Sequence, residues 1–349
     1  MPFLLRALSK RCPRASFDFV KAVPVSASIS HSRSLHSTNS SPTIPSSYIE
    51  PGRRMMLTPA PPDPTVNPAV STSPSPEANI GQKRLADFDL RDRVSVVTGG
   101  ARGLGLSLAE ALAETGGNVY CFDREPRPDE RFLEAARRAT EWGGSLHYRQ
   151  QDVQDTVGLD RAIAYIADKH QRLDGIVCAA GVQQLCAAVD YSREDLARMM
   201  DINYAGVMMT ATSAARQMFK YRCRGSMCFI ASMSGCIANK GLLSPVYNSS
   251  KAAVIQLARN LAMEWTPVRE DGTGGIRVNC LSPGHIMTPM VRKNFEEVPG
   301  LKEMWENENM MGRLAETTEF KGAALFLLSN ASSFMTGHNL VMDGGHTAW

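Results

Sequence analysis

Val94-Ser95-Val96-Val97-Thr98-Gly99-Gly100-Ala101-Arg102-Gly103-Leu104-Gly105 is the stretch from which the rest of the chain can be read. Its first five residues are short, apolar and β-branched, the composition of a buried strand. Glycines follow with the spacing Gly-x-x-x-Gly-x-Gly, at Gly99, Gly103 and Gly105. After them Leu106, Ala109, Leu112 and Ala113 recur at helical spacing until Gly116-Gly117 interrupts the pattern. A strand entering a helix through a glycine turn presents bare backbone amides at the helix N-terminus. A pyrophosphate approaches such a turn closely only where no Cβ stands in the way.

The unit repeats along the chain. Val119–Phe122 reads as the second strand, closed by Asp123. Strand-helix pairs follow at 146–149 with 155–170, 175–179 with 192–221, 226–231 with 247–265, and 276–281 with a further helical segment. Leu340-Val341-Met342 reads as a last strand. Alternation of this kind buries both faces of one sheet, which predicts an α/β fold: a single Rossmann-type domain, doubly wound and parallel, with helices on both faces.

Within that fold Asp123 sits where a carboxylate accepts hydrogen bonds from the adenosine ribose hydroxyls, which favours NAD. Arg102 in the glycine turn and Arg124 directly after the acid pull towards a 2′-phosphate. NAD is the preferred reading and NADP the alternative.

The N-terminal portion has another character. Residues 1–49 carry six basic residues and one acid, residues 50–84 four and three, and the remainder 28 and 31, so the overall +3 originates at the N-terminus. Phe3, Leu4, Ala7 and Leu8 recur at helical spacing, with Arg6 and Lys10 on another face and Pro13 beyond. That composition predicts a mitochondrial transit peptide over about residues 1–40 and a matrix location, with a cytoplasmic protein as the alternative; Arg33-Ser34-Leu35-His36-Ser37 has the look of a processing site. Ten of the twenty prolines fall in 41–76, so residues 41–84 are expected to be a disordered linker. The catalytic domain is expected over 85–349.

Several function classes lose support. The longest apolar runs, such as 323–328, fall well short of the ~20 residues a membrane-spanning helix needs. A mildly acidic domain argues against nucleic acid as a partner. Eight cysteines without regular spacing do not make a disulfide framework, and the seven histidines include no HExxH, so no metal is expected.

Tyr247-Asn248-Ser249-Ser250-Lys251 opens a helix and puts Tyr247 and Lys251 one turn apart on one face. A phenol with a pKa of ~10 is a poor base at neutral pH. A neighbouring ammonium favours the phenolate, which then takes the proton of an alcohol as hydride leaves its carbon.

With these residues in order, the chain from about Val94 to Gly345 resembles the short-chain dehydrogenase/reductase family. The glycine turn, Asn203 in Asp201-Ile202-Asn203, the serine region Ile230–Gly235, Tyr247/Lys251 and Pro283-Gly284-His285-Ile286-Met287-Thr288 all match. It is most similar to fungal polyol dehydrogenases of the arabinitol, mannitol or xylulose reductase type, through Ala231–Gly235, Tyr247–Lys251 and Val298–Lys302.

The resemblance implies catalytic roles for Ser232, Tyr247, Lys251 and Asn203. Tyr247 is the general acid/base, Lys251 lowers its pKa and binds the nicotinamide ribose, and Asn203 supports a water-linked proton relay. It implies cofactor contacts at Gly99, Arg102, Gly103, Leu104, Gly105, Asp123, Asp152, Ala179, Ala180, Gly181, Asn203, Tyr247, Lys251, Pro283, Gly284, Ile286 and Thr288. A homotetramer and a small alcohol or ketone substrate, a polyol/ketose pair first, are implied as well. A reductase of lipid-derived or secondary-metabolite carbonyls is the rival enzyme, favoured by an apolar lining around Trp305. A catalytically silent dinucleotide sensor is the non-enzyme rival.

Two departures from the family pattern stand out. Cys178-Ala179-Ala180-Gly181 lacks the usual asparagine that braces the sheet. The serine is ambiguous: the commoner spacing to Tyr247 picks Ser234, whereas Ser-x-x-Gly picks Ser232, which is preferred on the assumption of a two-residue insertion in 235–246. Trp305 and Met310, in the segment expected to close over substrate, are pocket candidates. Cys186 and His285 have no partner at a meaningful spacing and are taken as structural or solvent-facing.

Overall fold

The computed structural model describes residues 86–240 and 242–349. The expected targeting segment 1–40 and linker 41–84 lie outside the described residues.

Seven strands form one sheet among the described residues: β1 (Val94–Thr98), β2 (Asn118–Asp123), β3 (Ser145–Gln150), β4 (Gly175–Cys178), β5 (Ser226–Ile230), β6 (Arg277–Pro283) and β7 (Asn339–Met342). They lie in the order β3-β2-β1-β4-β5-β6-β7, and every pairing is parallel. The chain thus winds outward from β1 to one edge, then returns to β4 and winds to the other. The two strands that diverge there, β1 and β4, leave a crevice at their C-terminal ends, where ligands of open α/β sheets bind.

Period-two alternation divides the core. Val94 and Val96 of β1 face one layer and Val97 the other. The first layer is built by α3 (Thr156–His170), α5 (Gly206–Lys220) and α6 (Pro245–Trp265), through Ile163, Ile166, Ala214, Met218, Val254 and Leu261. The second is built by α1 (Gly103–Glu114), α2 (Glu130–Glu141) and α9 (Lys321–Leu328), through Leu108, Leu112, Phe132, Ala135 and Leu327. Both faces of the sheet are therefore covered, as the strand-helix alternation predicts.

Two differences from the sequence reading concern helices. Helix α2 was not anticipated: it buries only Phe132, Ala135 and Ala139, too narrow an apolar stripe to stand out among its charges. The expected single helix over 192–221 is instead three pieces. These are α4 (Arg193–Met200), a π-helical turn at Asp201–Ala205, and α5. The π turn carries Asn203 at its centre. Beyond β6 the chain forms α7 (Pro289–Glu297) and α8 (Leu301–Asn307), which stand over the C-terminal end of the sheet beside a small apolar cluster of Leu242, Leu301, Trp305 and Leu314.

Candidate active site

The glycine turn is tight for reasons that can be counted in ångströms. Gly99 adopts φ +67°, and a Cβ there would meet the Ala180 amide nitrogen at 2.7 Å. A Cβ on Gly105 would lie 2.1 Å from the Gly99 carbonyl oxygen. The turn is thus pressed onto the chain leaving β4. Ala179 donates its N–H to the Thr98 carbonyl at 3.1 Å, so backbone ties hold the Cys178-Ala179-Ala180-Gly181 corner without the usual asparagine.

At the end of β2, Asp123 is buried, and one carboxylate oxygen accepts the Ala101 N–H at 3.3 Å. Arg102 and Arg124 are both exposed and both approach Glu125, at 3.8 and 3.7 Å.

The glycine turn, the end of β2 and the start of α6 open into one cavity of about 640 Å³. Gly99, Arg102, Gly103, Leu104, Gly105, Asp123, Asp152, Ala179, Ala180, Gly181, Ser232, Tyr247, Lys251, Pro283, Gly284, Ile286 and Thr288 all line it. Of the catalytic and cofactor-binding residues expected from sequence, Asn203 alone does not. It sits fully buried just behind the wall. Its carboxamide accepts the Val182 N–H at 2.9 Å and donates to the Val182 carbonyl at 2.9 Å and to Ser250 Oγ at 3.0 Å. A Cβ on Gly181 would come within 3.4 Å of Asn203 Oδ1 and 3.6 Å of Lys251 Nζ, so these three residues meet at one point.

Tyr247 stands in the first turn of α6, which begins with Pro245 at its N-terminus, and Lys251 follows one turn later. Lys251 Nζ lies 5.7 Å from the Tyr247 ring centroid and donates to the Ile230 carbonyl at 2.7 Å. Burial pulls its pKa down to about 8, partly offset by the nearby Cys280 and Cys178 thiols.

The Tyr247 phenol is itself pushed above the usual range by burial, and a hydrogen bond from the Ser232 hydroxyl works the other way. Ser232 thus favours the phenolate, and Lys251, with one of its three N–H donors on the Ile230 carbonyl, keeps its charge one helical turn away.

The serines divide by partner. Ser232 reaches Tyr247 and accepts the Ser234 N–H at 3.1 Å, whereas the Ser234 hydroxyl is held by the Asn239 side-chain amide. Asn239 is buried, with a left-handed backbone at φ +51°.

Trp305 lines the cavity as expected, but Met310 is exposed and does not. The solvent-facing alternative for His285 is corrected: it is buried, lines the cavity, and stacks on Trp305 with centroids 3.7 Å apart and planes 6° from parallel. Gln183, Asn239 and Leu242 also line the cavity and were not anticipated. The position of His285 between Gly284 and Ile286, both expected contacts, was the available signal. Among the described residues no group of three His, Cys, Asp or Glu side chains is placed to hold a metal ion, and no helix is long and apolar enough to cross a membrane.

Residues 99–347 match the family model described as enoyl-(acyl carrier protein) reductase, of the adh_short_C2 group. The chain belongs to the short-chain dehydrogenase/reductase family. It is 38% identical over 264 residues to a short-chain dehydrogenase/reductase of Aspergillus versicolor, covering 75% of this chain and 89% of that one. It is 35% identical over 279 residues to the ribulose-forming D-arabinitol 2-dehydrogenase of Scheffersomyces stipitis, covering 76% and 97%. Among solved structures, a gluconate 5-dehydrogenase from Burkholderia cenocepacia in complex with NADP and tartrate superposes with a TM-score of 0.67 at 29% identity, covering 75% of this chain and 98% of that one.

As a member of this family the chain is an NAD(P)-dependent oxidoreductase acting on CH–OH groups. The turn fits a dinucleotide: the three glycines leave the amides uncovered, with open space where a Cβ of Gly103 would stand.

Proposed function

We propose that this chain interconverts a polyol and its ketose, with NAD the preferred dinucleotide and Tyr247 the general acid/base. The observation that carries the reading is that Ser232, Tyr247 and Lys251 line the same cavity as the glycine turn, with Tyr247 and Lys251 one helical turn apart. The names of similar proteins, among them the D-arabinitol 2-dehydrogenase and a galactitol 2-dehydrogenase of Rhizobium johnstonii, support the substrate class.

When bound, the dinucleotide supplies the hydride acceptor or donor. Gly99, Gly103 and Gly105 would take its pyrophosphate, Asp123 its adenosine ribose, and Asp152 its adenine edge; Ala179, Ala180 and Gly181 would border it. Pro283, Gly284, Ile286 and Thr288 would flank the nicotinamide. Ser232 Oγ holds the substrate oxygen, and the Tyr247 phenolate takes its proton in the oxidative direction. In the reductive direction the same oxygen gives the proton back. Lys251 would contact the nicotinamide ribose. Asn203 acts as a positioning residue, because both ends of its carboxamide are already engaged with Val182 and Ser250.

Asp123 and Glu125 support the preference for NAD. The first is a carboxylate at the ribose position, and the second draws on both arginines that would otherwise face a 2′-phosphate. The test is turnover with NAD and NADP across a panel of sugar alcohols, followed by the absorbance of reduced nicotinamide. Absence of turnover on every polyol overturns the substrate class.

A second reading, reduction of a lipid-derived carbonyl, is favoured by the apolar cluster of Leu242, Leu301, Trp305 and Leu314. Against it, one face of the Trp305 indole is covered by an imidazole. Matrix location and a homotetramer complete the proposal. The first rests on the cationic segment 1–40, the second on the family resemblance and on exposed apolar residues such as Tyr165 and Met263 on the long helices.

A further inference from the structure

His285 is fixed from several sides. Its carbonyl accepts the Ala315 N–H at 3.0 Å, and Met287 beside it donates to the Ala315 carbonyl at 2.8 Å. The preceding Gly284 passes so close to the C-terminal segment that a Cβ would meet Asp343 Cα at 2.6 Å. That close approach brings His346 edge-on to the His285 ring, with centroids 5.2 Å apart and planes at 83°. With one face on Trp305, the imidazole is held in a single plane. Yet neither ring nitrogen has a hydrogen-bond partner among the described residues, although the residue is only 8% exposed and lines the cavity. Its nitrogens therefore open on the cavity, where a bound hydroxyl can become their partner.

The charges around the cavity are unevenly placed. Its described cationic lining residues are Arg102 and Arg124, which belong to the glycine turn and the end of β2, and Lys251, which donates to Ile230. Ser232, Ser234, Gln183, Asn239 and His285 furnish polar atoms without formal charge. Burial and the neighbouring His346 pull the His285 pKa down to about 3, so its ring is neutral across the working range.

We propose that His285, braced flat on Trp305, is a specificity-determining residue that hydrogen-bonds a hydroxyl of the substrate beyond the reacting carbon and so selects an uncharged polyol over a sugar acid. This rests on the polyol reading above and extends it. A neutral imidazole has one donor and one acceptor nitrogen, matching a hydroxyl that both gives and takes a hydrogen bond. It offers no charge to pair with a carboxylate. A site built to pair a substrate hydroxyl discriminates strongly against an analogue lacking it, because its own polar group is then stranded.

The test compares the full chain with His285→Phe and His285→Gln on D-arabinitol, galactitol, gluconate and a 2-alkanol of matching length. His285→Phe keeps an aromatic ring on Trp305 and removes both nitrogens; His285→Gln keeps polar atoms and loses the stack. The wild type is expected to use the polyols at least ~100-fold better than gluconate, by kcat/KM. His285→Phe should raise KM for the polyols ~10- to 100-fold, with kcat within ~3-fold, 2-alkanol kcat/KM within ~3-fold and the NADH dissociation constant unchanged. His285→Gln should recover part of the polyol preference.

Equal losses on polyol and 2-alkanol in His285→Phe would assign His285 a structural role and overturn the proposal. An unchanged polyol KM, or wild-type use of gluconate as efficient as that of a polyol, would do the same while leaving the polyol reading standing. Turnover of the 2-alkanol with none of any polyol removes both.

Discussion

Asn203 and Val182 are joined by two hydrogen bonds that run in opposite directions, both 2.9 Å long. One side chain thereby satisfies the N–H and the carbonyl of the residue just beyond Gly181, where the chain leaves β4 and enters the cavity wall. Replacing Asn203 by Ala leaves both groups unpaired in a partly buried place. We expect a stability loss of about 1–3 kcal/mol, from an orphaned donor and acceptor that cavity water reaches only in part. Asn203→Asp still accepts from the Val182 N–H but, ionised, sets a carboxylate against the Val182 carbonyl it can no longer donate to, and should lose at least as much. Urea unfolding of the two variants, together with a ~10- to 100-fold fall in kcat at unchanged nucleotide affinity, checks the positioning role.

Tyr247→Phe is expected to abolish turnover, by ~1,000-fold or more, while the chain still binds NADH. Unaltered turnover in the variant would assign the proton transfer to another group, and nucleotide binding with no turnover in either form would revive the sensor reading.

Ser232 shifts the phenol in the direction that favours its ionised form. Oxidation needs the phenolate, so its rate rises with pH through the tyrosine's pKa. Removing the hydroxyl with Ser232→Ala should move that limb to higher pH, in addition to lowering kcat. Ser234→Ala should leave the limb in place, since its hydroxyl is bonded to Asn239 rather than to Tyr247. The kcat–pH profile for alcohol oxidation separates the two.

Lys251 predicts a pH dependence of stability. Its folded pKa of about 8 lies below the ordinary value of 10.5, so between those two values the unfolded chain binds more protons than the folded one. Stability should therefore rise with pH through that window. Below about pH 8 the cost of holding the ammonium is fully present, on the order of 3 kcal/mol. Lys251→Met should flatten this part of the profile, as read from urea midpoints at pH 7, 8.5 and 10. An unchanged slope would show that the ammonium is not desolvated.

The nucleotide preference can be reversed at two positions. Asp123→Ser removes the carboxylate from the end of β2, and Glu125→Gln removes the acid facing Arg102 and Arg124. Asp123→Ser should raise kcat/KM for NADP relative to NAD by about 10-fold, and Glu125→Gln by less, since exposed pairs such as those with Arg102 and Arg124 are worth ~1 kcal/mol or below. A separate test concerns the N-terminus: a reporter fused after residue 45 is expected in the mitochondrial matrix, and a cytosolic reporter would overturn that address.

Much of the fold was legible because the sheet is buried on both faces and writes itself as short β-branched runs. The glycine turn was legible because backbone contact at 2.1 and 2.7 Å leaves no room for another residue type. Helix α2 escaped notice because only three of its side chains are buried. The π turn escaped because Ile202 and Asn203 continue a pattern that an unbroken helix would also display. His285 and Trp305 are twenty residues apart and come from different elements, and no spacing rule links a loop imidazole to a helical indole. Met310 failed for the converse reason: its place in a charged, Met-rich segment suggested a lid, but its side chain lies outside the cavity.

The five-residue turn at Asp201–Ala205 holds one residue more than the helices on either side of it require. Excising a single codon here would let α4 and α5 run on as one regular α-helix with their buried flanks little turned. What would be lost is the bulge that carries Asn203 to the Val182 backbone, so a deletion that spares the fold would still unseat this carboxamide.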